Sequence, residues 1–78
     1  MNVLAFGIAK EIVGNSSVNI EHAETATVGD LKTLLEEKYP AFKKLGSYMI
    51  AVNNEYASDK TIIHADDEVA VIPPVSGG

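Results

Sequence analysis

Thr27-Val28-Gly29-Asp30-Leu31-Lys32-Thr33-Leu34-Leu35-Glu36-Glu37-Lys38-Tyr39, followed at once by Pro40, is the stretch whose reading decides the fold. Thr27 and Asp30 have the spacing of a capping box: the hydroxyl accepts from the amide three residues on, and the carboxylate sits at the positive end of a starting helix. Val28, Leu31, Leu34, Leu35 and Tyr39 recur at helical spacing and form one apolar stripe, while Lys32, Glu36, Glu37 and Lys38 take the rest of the cylinder. Pro40 disfavours the helical conformation at the residue before it, so the helix should end at Tyr39. A single long helix with one apolar face needs a single surface to cover.

That surface must come from the segments on either side. Asn2 to Ile8 is apolar and rich in strand formers, which predicts a first strand, and Lys10 to Val13 then makes a turn or short helix ending near Gly14. Asn15 and Ser16 supply a turn into Ser17–Glu21, where Val18 and Ile20 alternate with polar neighbours as in a half-buried strand. Beyond the helix, Ala41 to Ser47 connects through Phe42 and Leu45 as anchors. Tyr48 to Asn53 reads as a third strand, Asn53-Asn54 as a turn, Glu55 to Ala57 as a short returning strand and Glu68 to Ile72 as the last.

The order strand, strand, helix, strand, short strand, strand, with one helix for one sheet face, predicts an α+β chain of β-grasp (ubiquitin-like) type. In that fold the first and last strands lie parallel in the centre of a mixed sheet. A ferredoxin-like arrangement would need a second full helix, and Ala41–Leu45 is too short for one. We expect residues 1–72 to form the folded domain and residues 73–78 to project as a tail. Both alternating sets in the outer strands are apolar, so one helix must leave one set uncovered. Val3, Ala5, Val69 and Val71 are assigned to the helix side, and Phe6 and Ile72 to the open side at the base of the tail.

The tail, Pro73-Pro74-Val75-Ser76-Gly77-Gly78, combines a stiff base with a slim tip. Consecutive prolines fix φ near −65° as the chain leaves the last strand. The four residues after Pro74 reach ~13 Å at ~3.3 Å per residue. Without side chains at Gly77 and Gly78, the terminal carboxylate can enter a cleft that any Cβ would block, and a carboxylate placed there can be activated as an acyl-adenylate.

Composition excludes most other chemistry. At 78 residues the chain is one domain, too small to enclose both a core and a deep catalytic cleft. Six lysines, no arginine and 11 acidic residues give a net charge of −5, which disfavours nucleic acid and anionic membrane and favours a partner with a basic surface. Cysteine is absent, so disulfides, thiolate metal sites and a persulfide on this chain are excluded, and any sulfur handled here must ride on a carboxylate. His22 and His64 are far apart and each lacks a second ligand at helical or hairpin spacing, so no metal or cofactor is expected on the chain. Asp66-Asp67-Glu68 lacks calcium-loop spacing and reads as a turn. No nucleotide-binding glycine motif occurs, nor any Ser/His/Asp grouping. The apolar start has no basic residue before it and reaches Lys10-Glu11 too soon for a secretory segment, and no apolar run is long enough to span a membrane. The expectation is a soluble cytoplasmic protein.

Phe6-Gly7-Ile8-Ala9-Lys10-Glu11-Ile12-Val13-Gly14, Ala51-Val52-Asn53, Asp66-Asp67-Glu68-Val69-Ala70 and Ile72-Pro73-Pro74-Val75-Ser76-Gly77-Gly78, in this order across the whole chain, resemble the small subunit of molybdopterin synthase, the MoaD-type sulfur carrier. Lys10 stands where that family commonly has Arg, keeping the charge without the planar fork. The resemblance implies a non-catalytic carrier subunit whose reactive atom is the Gly78 carboxylate. An E1-like adenylating enzyme would activate it with ATP and magnesium, and a sulfur donor protein would convert it to a thiocarboxylate. The tail would then deliver sulfur to cyclic pyranopterin monophosphate inside the large catalytic subunit of a heterotetramer. Phe6, Ile72, Pro73, Pro74, Val75, Ser76 and Gly77 would meet the partner. A thiamin-pathway (ThiS-like) carrier, a ubiquitin-like modifier that forms isopeptides, and a noncovalent adaptor are the alternatives.

Overall fold

The computed structural model describes residues 1–21, 26–45 and 47–73. Its main helix, α2 (Val28–Lys38), starts and stops where the capping box and Pro40 require. The Asp30 amide donates to Thr27 Oγ1 at 3.2 Å, and Asp30 Oδ2 accepts from the Thr27 amide at 3.1 Å and the Ala26 amide at 3.3 Å. Orphan amides at the helix start are thereby satisfied by one threonine and one aspartate. Val28, Leu31 and Leu35 are fully buried, and each such side chain contributes roughly 1.5–3 kcal/mol. Leu34 and Tyr39 flank them, half-buried against the same core.

Five strands form the sheet: β1 (Asn2–Ala5), β2 (Ser17–Asn19), β3 (Met49–Val52), β4 (Glu55–Ala57) and β5 (Val69–Ile72), in the spatial order β2-β1-β5-β3-β4. The first and last strands are parallel neighbours in the middle, with Val3 opposite Val69 and Ala5 opposite Val71. All other pairs are antiparallel. The arrangement is the β-grasp that the element order predicts. Val3, Ala5, Val69 and Val71 face the helix and are buried, together with Ile20, Ile50, Ile63, Phe42 and Tyr48.

Three local differences from the sequence reading have physical causes. The first strand ends at Ala5, because Gly7 turns the chain at φ 55°, and the Phe6 carbonyl then accepts from the Ala9 amide at 3.0 Å to open a short helix, α1 (Ile8–Val13). The predicted continuation to Ile8 is therefore helix. Gly14 closes α1 in the left-handed conformation, its amide donating to the Lys10 carbonyl at 2.9 Å. The second strand is shorter than Ser17–Glu21, although the Ile20 amide still pairs with the Met1 carbonyl at 2.8 Å. The connecting segment after α2 is a 3₁₀ helix, Pro40–Leu45, which drops Phe42 into the core between Tyr39 and Tyr48 with ring centroids 6.2 and 5.4 Å away.

Asn53 and Asn54 both adopt positive φ, 53° and 68°, and so make the two-residue hairpin turn that joins β3 to β4. Among the described residues, no helix is long and apolar enough to cross a membrane.

Candidate functional site: the open sheet face and the root of the tail

Because α2 covers one side of the sheet, the alternate residues emerge on the other. The register aligns Leu4 with Ala70, Ala70 with Ala51, and Ala51 with Tyr56, so one row across four strands runs large, small, small, large. Two alanines between a leucine and a tyrosine leave a hollow. The result is a groove of about 320 Å³ lined by Leu4, Phe6, Ala51, Asn54, Tyr56, Glu68, Ala70 and Ile72. Phe6 is 49% exposed and Tyr56 69% exposed, unusual values for aromatic side chains in so small a domain. Met49, paired with Ile72, is also exposed on this face.

The two ends of the groove differ. At the end where β5 finishes stand Phe6 and Ile72, and beside them Pro73 packs over Gly7 so closely that a Cβ on Gly7 would lie 3.2 Å from the proline Cγ. Residue 7 thus combines a positive φ with a proline ring against its α-carbon, two reasons for glycine at one position. The tail begins from this seat. Pro74, Val75, Ser76, Gly77 and Gly78, all assigned to the tail by sequence, lie outside the described residues.

At the opposite end the groove is polar. The Glu68 amide donates to Asn53 Oδ1 at 3.0 Å and the Glu68 carbonyl accepts from the Asn53 amide at 2.7 Å, which ties the start of β5 to the β3–β4 turn. Asn53 Nδ2 also donates to Asp67 Oδ1 at 3.0 Å, and Asp67 Oδ2 accepts from the His64 amide at 2.7 Å. These two bonds, the backbone one first, hold the Asp67 carboxyl below its ordinary range. The acidic run is therefore a clasp between two turns. His64 is largely exposed, with Nδ1 3.5 Å from Asp67, and His22 lies outside the described residues. Among the described residues, no three His, Asp or Glu side chains gather as metal ligands.

A second polar network lies on the helix side. The Tyr48 hydroxyl donates to Glu36 Oε2 at 2.8 Å, and Lys32 lies over its ring while pairing with Asp59 at 2.9 Å. Burial first, then the bond to Glu36 and the charges of Glu36 and Asp59, push the phenol pKa well above the ordinary tyrosine value. A buried, proton-retaining phenol tied to one carboxylate is structural support for α2 and does not line the groove.

Sequence reasoning put Phe6 and Ile72 on the open face, and the structure brings them together at the tail root. It missed Ala51, Tyr56, Asn54 and Glu68. Their signal was available only through cross-strand register, since no one of them stands out within its own segment.

Comparison with known proteins identifies the family and the fold. Residues 3–78 match the ThiS family model. The molybdopterin synthase sulfur carrier subunit of Caenorhabditis briggsae is 38% identical, covering 100% of this chain and 96% of its own length. Among solved structures, SAMP1 from Haloferax volcanii superposes with a TM-score of 0.79 at 30% identity, over 99% of this chain and 97% of that one. A putative molybdopterin converting factor subunit 1 from Pyrococcus furiosus gives 0.82 at 29% identity, over 95% of each chain. A chain in the complex of subunits 1 and 2 of the molybdopterin-converting factor of Helicobacter pylori is similar at 26% identity and a TM-score of 0.67, over 99% of this chain and 96% of that one. The chain belongs to the ThiS family, among its molybdopterin synthase sulfur-carrier subunits.

Proposed function

We propose that the chain carries sulfur on the Gly78 carboxylate and delivers it to cyclic pyranopterin monophosphate within a cytoplasmic molybdopterin synthase. The observation that supports this most is that the family relationship runs through residue 78, taking in the segment that leaves β5 beside the groove. A carboxylate is a poor electrophile because oxide is its leaving group. An E1-like enzyme, using its own ATP and magnesium, overcomes this by letting a carboxylate oxygen attack the α-phosphorus with loss of pyrophosphate. Hydrosulfide supplied by a donor protein then attacks the carbonyl carbon of the acyl-adenylate, the bond from that carbon to the AMP oxygen breaks, and AMP leaves to give the thiocarboxylate. Residues 1–72 act as the folded handle and residues 73–78 as the reactive arm. The groove with Phe6, Ile72 and Pro73 seats a large catalytic subunit, which supplies the acid, base and pterin-binding groups. The two-subunit complex from Helicobacter pylori is the precedent for such a partner.

A second reading, as a protein modifier, is favoured by the likeness to SAMP1, for which a related structure carries the name small archaeal modifier protein 1. There the same adenylate would be attacked by a lysine amine. One experiment separates the two. The full chain is incubated with the activating enzyme, ATP and a sulfur donor, and its intact mass is followed with fragment mapping. The carrier reading expects a gain equal to replacing oxygen by sulfur, at Gly78, abolished by deleting Gly78 or adding one residue after it. Modification at an internal side chain, or transfer of the chain to lysines with no thiocarboxylate, would overturn it.

A further inference from the structure

The chain has no cysteine and two methionines, and the fold treats those two thioethers differently. Met1 is half-buried against the core, with its carbonyl accepting from the Ile20 amide at 2.8 Å. Met49 is 43% exposed and lies outside the core cluster. We propose that Met49 is a site of reversible oxidation, and that its sulfoxide keeps the chain from the large catalytic subunit until it is reduced. This rests on the carrier reading above and adds a control to it.

Alternation and register place the thioether. Tyr48 and Ile50 are buried in the core, so Met49 between them belongs to the open face, directly across from Ile72. The edge strand β4 reaches only to Ala57, which lies opposite Ile50. Among the described residues, therefore, no strand flanks Met49 on its outer side. It stands at the corner of the sheet where β5 ends and Pro73 begins, open to a small oxidant and to the active site of a reductase. Susceptibility to oxidation follows exposure, so Met49 should react well before Met1.

The step balances with a hydroperoxide as oxidant. A sulfur lone pair attacks one peroxide oxygen, an S–O bond forms as the O–O bond breaks, and the departing hydroxide takes the proton of the new S–O–H group. Thioether and hydrogen peroxide become sulfoxide and water, sulfur losing the two electrons that the peroxide gains. The reverse step takes two electrons and two protons from a pair of thiols, which close to a disulfide, and releases the oxygen as water. The sulfoxide sets a strong acceptor oxygen where the thioether was apolar. Beside Ile72 that oxygen would be pressed against an apolar partner surface, and an acceptor buried without a donor is costly. Docking also covers the thioether, so the free carrier is the form that oxidises and the assembled subunit is shielded.

The test uses the full chain in its carboxylate form, whose only sulfur atoms are those of Met1 and Met49. The chain is treated with hydrogen peroxide, the added oxygen is mapped by mass spectrometry, and binding to a molybdopterin synthase large subunit is measured by calorimetry, with circular dichroism to verify folding. One oxygen should appear first at Met49, and Kd should rise by about fivefold or more without a change in fold. Methionine sulfoxide reductase with a dithiol should restore the original affinity. Met49→Leu should bind as the untreated chain does and keep that affinity after peroxide, and preformed complex should oxidise more slowly at Met49 than free chain. Unchanged affinity of the Met49 sulfoxide, earlier oxidation of Met1, or an equal loss of binding in peroxide-treated Met49→Leu would overturn the inference and leave the carrier reading standing. Unfolding on oxidation would place Met49 in the core and overturn it as well. An untreated chain that fails to bind the large subunit would overturn both.

Discussion

Replacing Phe6 by aspartate tests whether the open face is a binding surface. Phe6 is 49% exposed, so its own fold already covers about half of the ring and a partner can bury only the remainder. Full burial of a large apolar side chain is worth roughly 1.5–3 kcal/mol, which leaves ~0.7–1.5 kcal/mol for the complex. At about 1.4 kcal/mol per tenfold, the lost contact alone raises Kd by roughly three- to twelvefold, and setting a carboxylate against an apolar partner adds to that. Stability should hardly change. The ring is outside the core, and the structural contribution of residue 6 is its carbonyl, which accepts from the Ala9 and Lys10 amides at 3.0 and 3.4 Å whatever the side chain. Calorimetric titration into the large subunit and a thermal melt should therefore show weakened binding with a melting temperature near wild type. Undiminished affinity in a folded variant would refute the face assignment, and unfolding would show that Phe6 belongs to the core.

Three further outcomes follow from the packing. The Tyr48 phenol is raised above its ordinary value of 10.0, so the folded chain keeps a proton that the unfolded chain releases; the stabilisation is present below about pH 10 and is lost as the pH rises above it. Denaturant titrations from pH 9 to 11 should show a decline in wild type of up to ~1.4 kcal/mol per pH unit from this group, and an equal decline in Tyr48→Phe would sink the assignment. The Asp67 carboxyl is lowered, so its contribution is present above about pH 3.8 and is lost as the pH falls through the folded value. Asp67→Ala should flatten the acid limb of the stability curve relative to wild type, whereas parallel limbs would count against the clasp. Thr27→Ala removes the acceptor of the Asp30 amide and should cost ~1 kcal/mol in urea unfolding, a loss that Thr27→Ser largely restores.

The helix was the most readable part of the sequence because its limits depend on neighbours: Thr27 with Asp30 at one end, Tyr39 with Pro40 at the other. The β3–β4 turn was readable for the same reason, since Asn-Asn tolerates positive φ at both positions. Phe6–Ile8 was misread as strand because an unbroken apolar run has no periodicity to separate strand from helix, and the deciding event is one backbone angle at Gly7. The Tyr48–Glu36 bond spans 12 positions and the Asn53–Glu68 clamp 15, distances over which local pattern carries no information. The groove was legible only in part. Alternation along β1 and β5 predicts that Phe6 and Ile72 face outward, but the hollow itself depends on Ala51 and Ala70 meeting in register, which only the assembled sheet determines.

The most direct test of the account is a single-turnover reconstitution. The chain bearing a thiocarboxylate at Gly78 is mixed with a molybdopterin synthase large subunit and cyclic pyranopterin monophosphate, at two or more chains per pterin because the dithiolene takes one sulfur from each of two chains, and both the pterin and the chain are followed by mass spectrometry. The account predicts that sulfur appears in a dithiolene product while the chain returns to the mass of its carboxylate form. Retention of sulfur on the chain with the pterin unchanged, or transfer only in a thiazole-forming system, would contradict it.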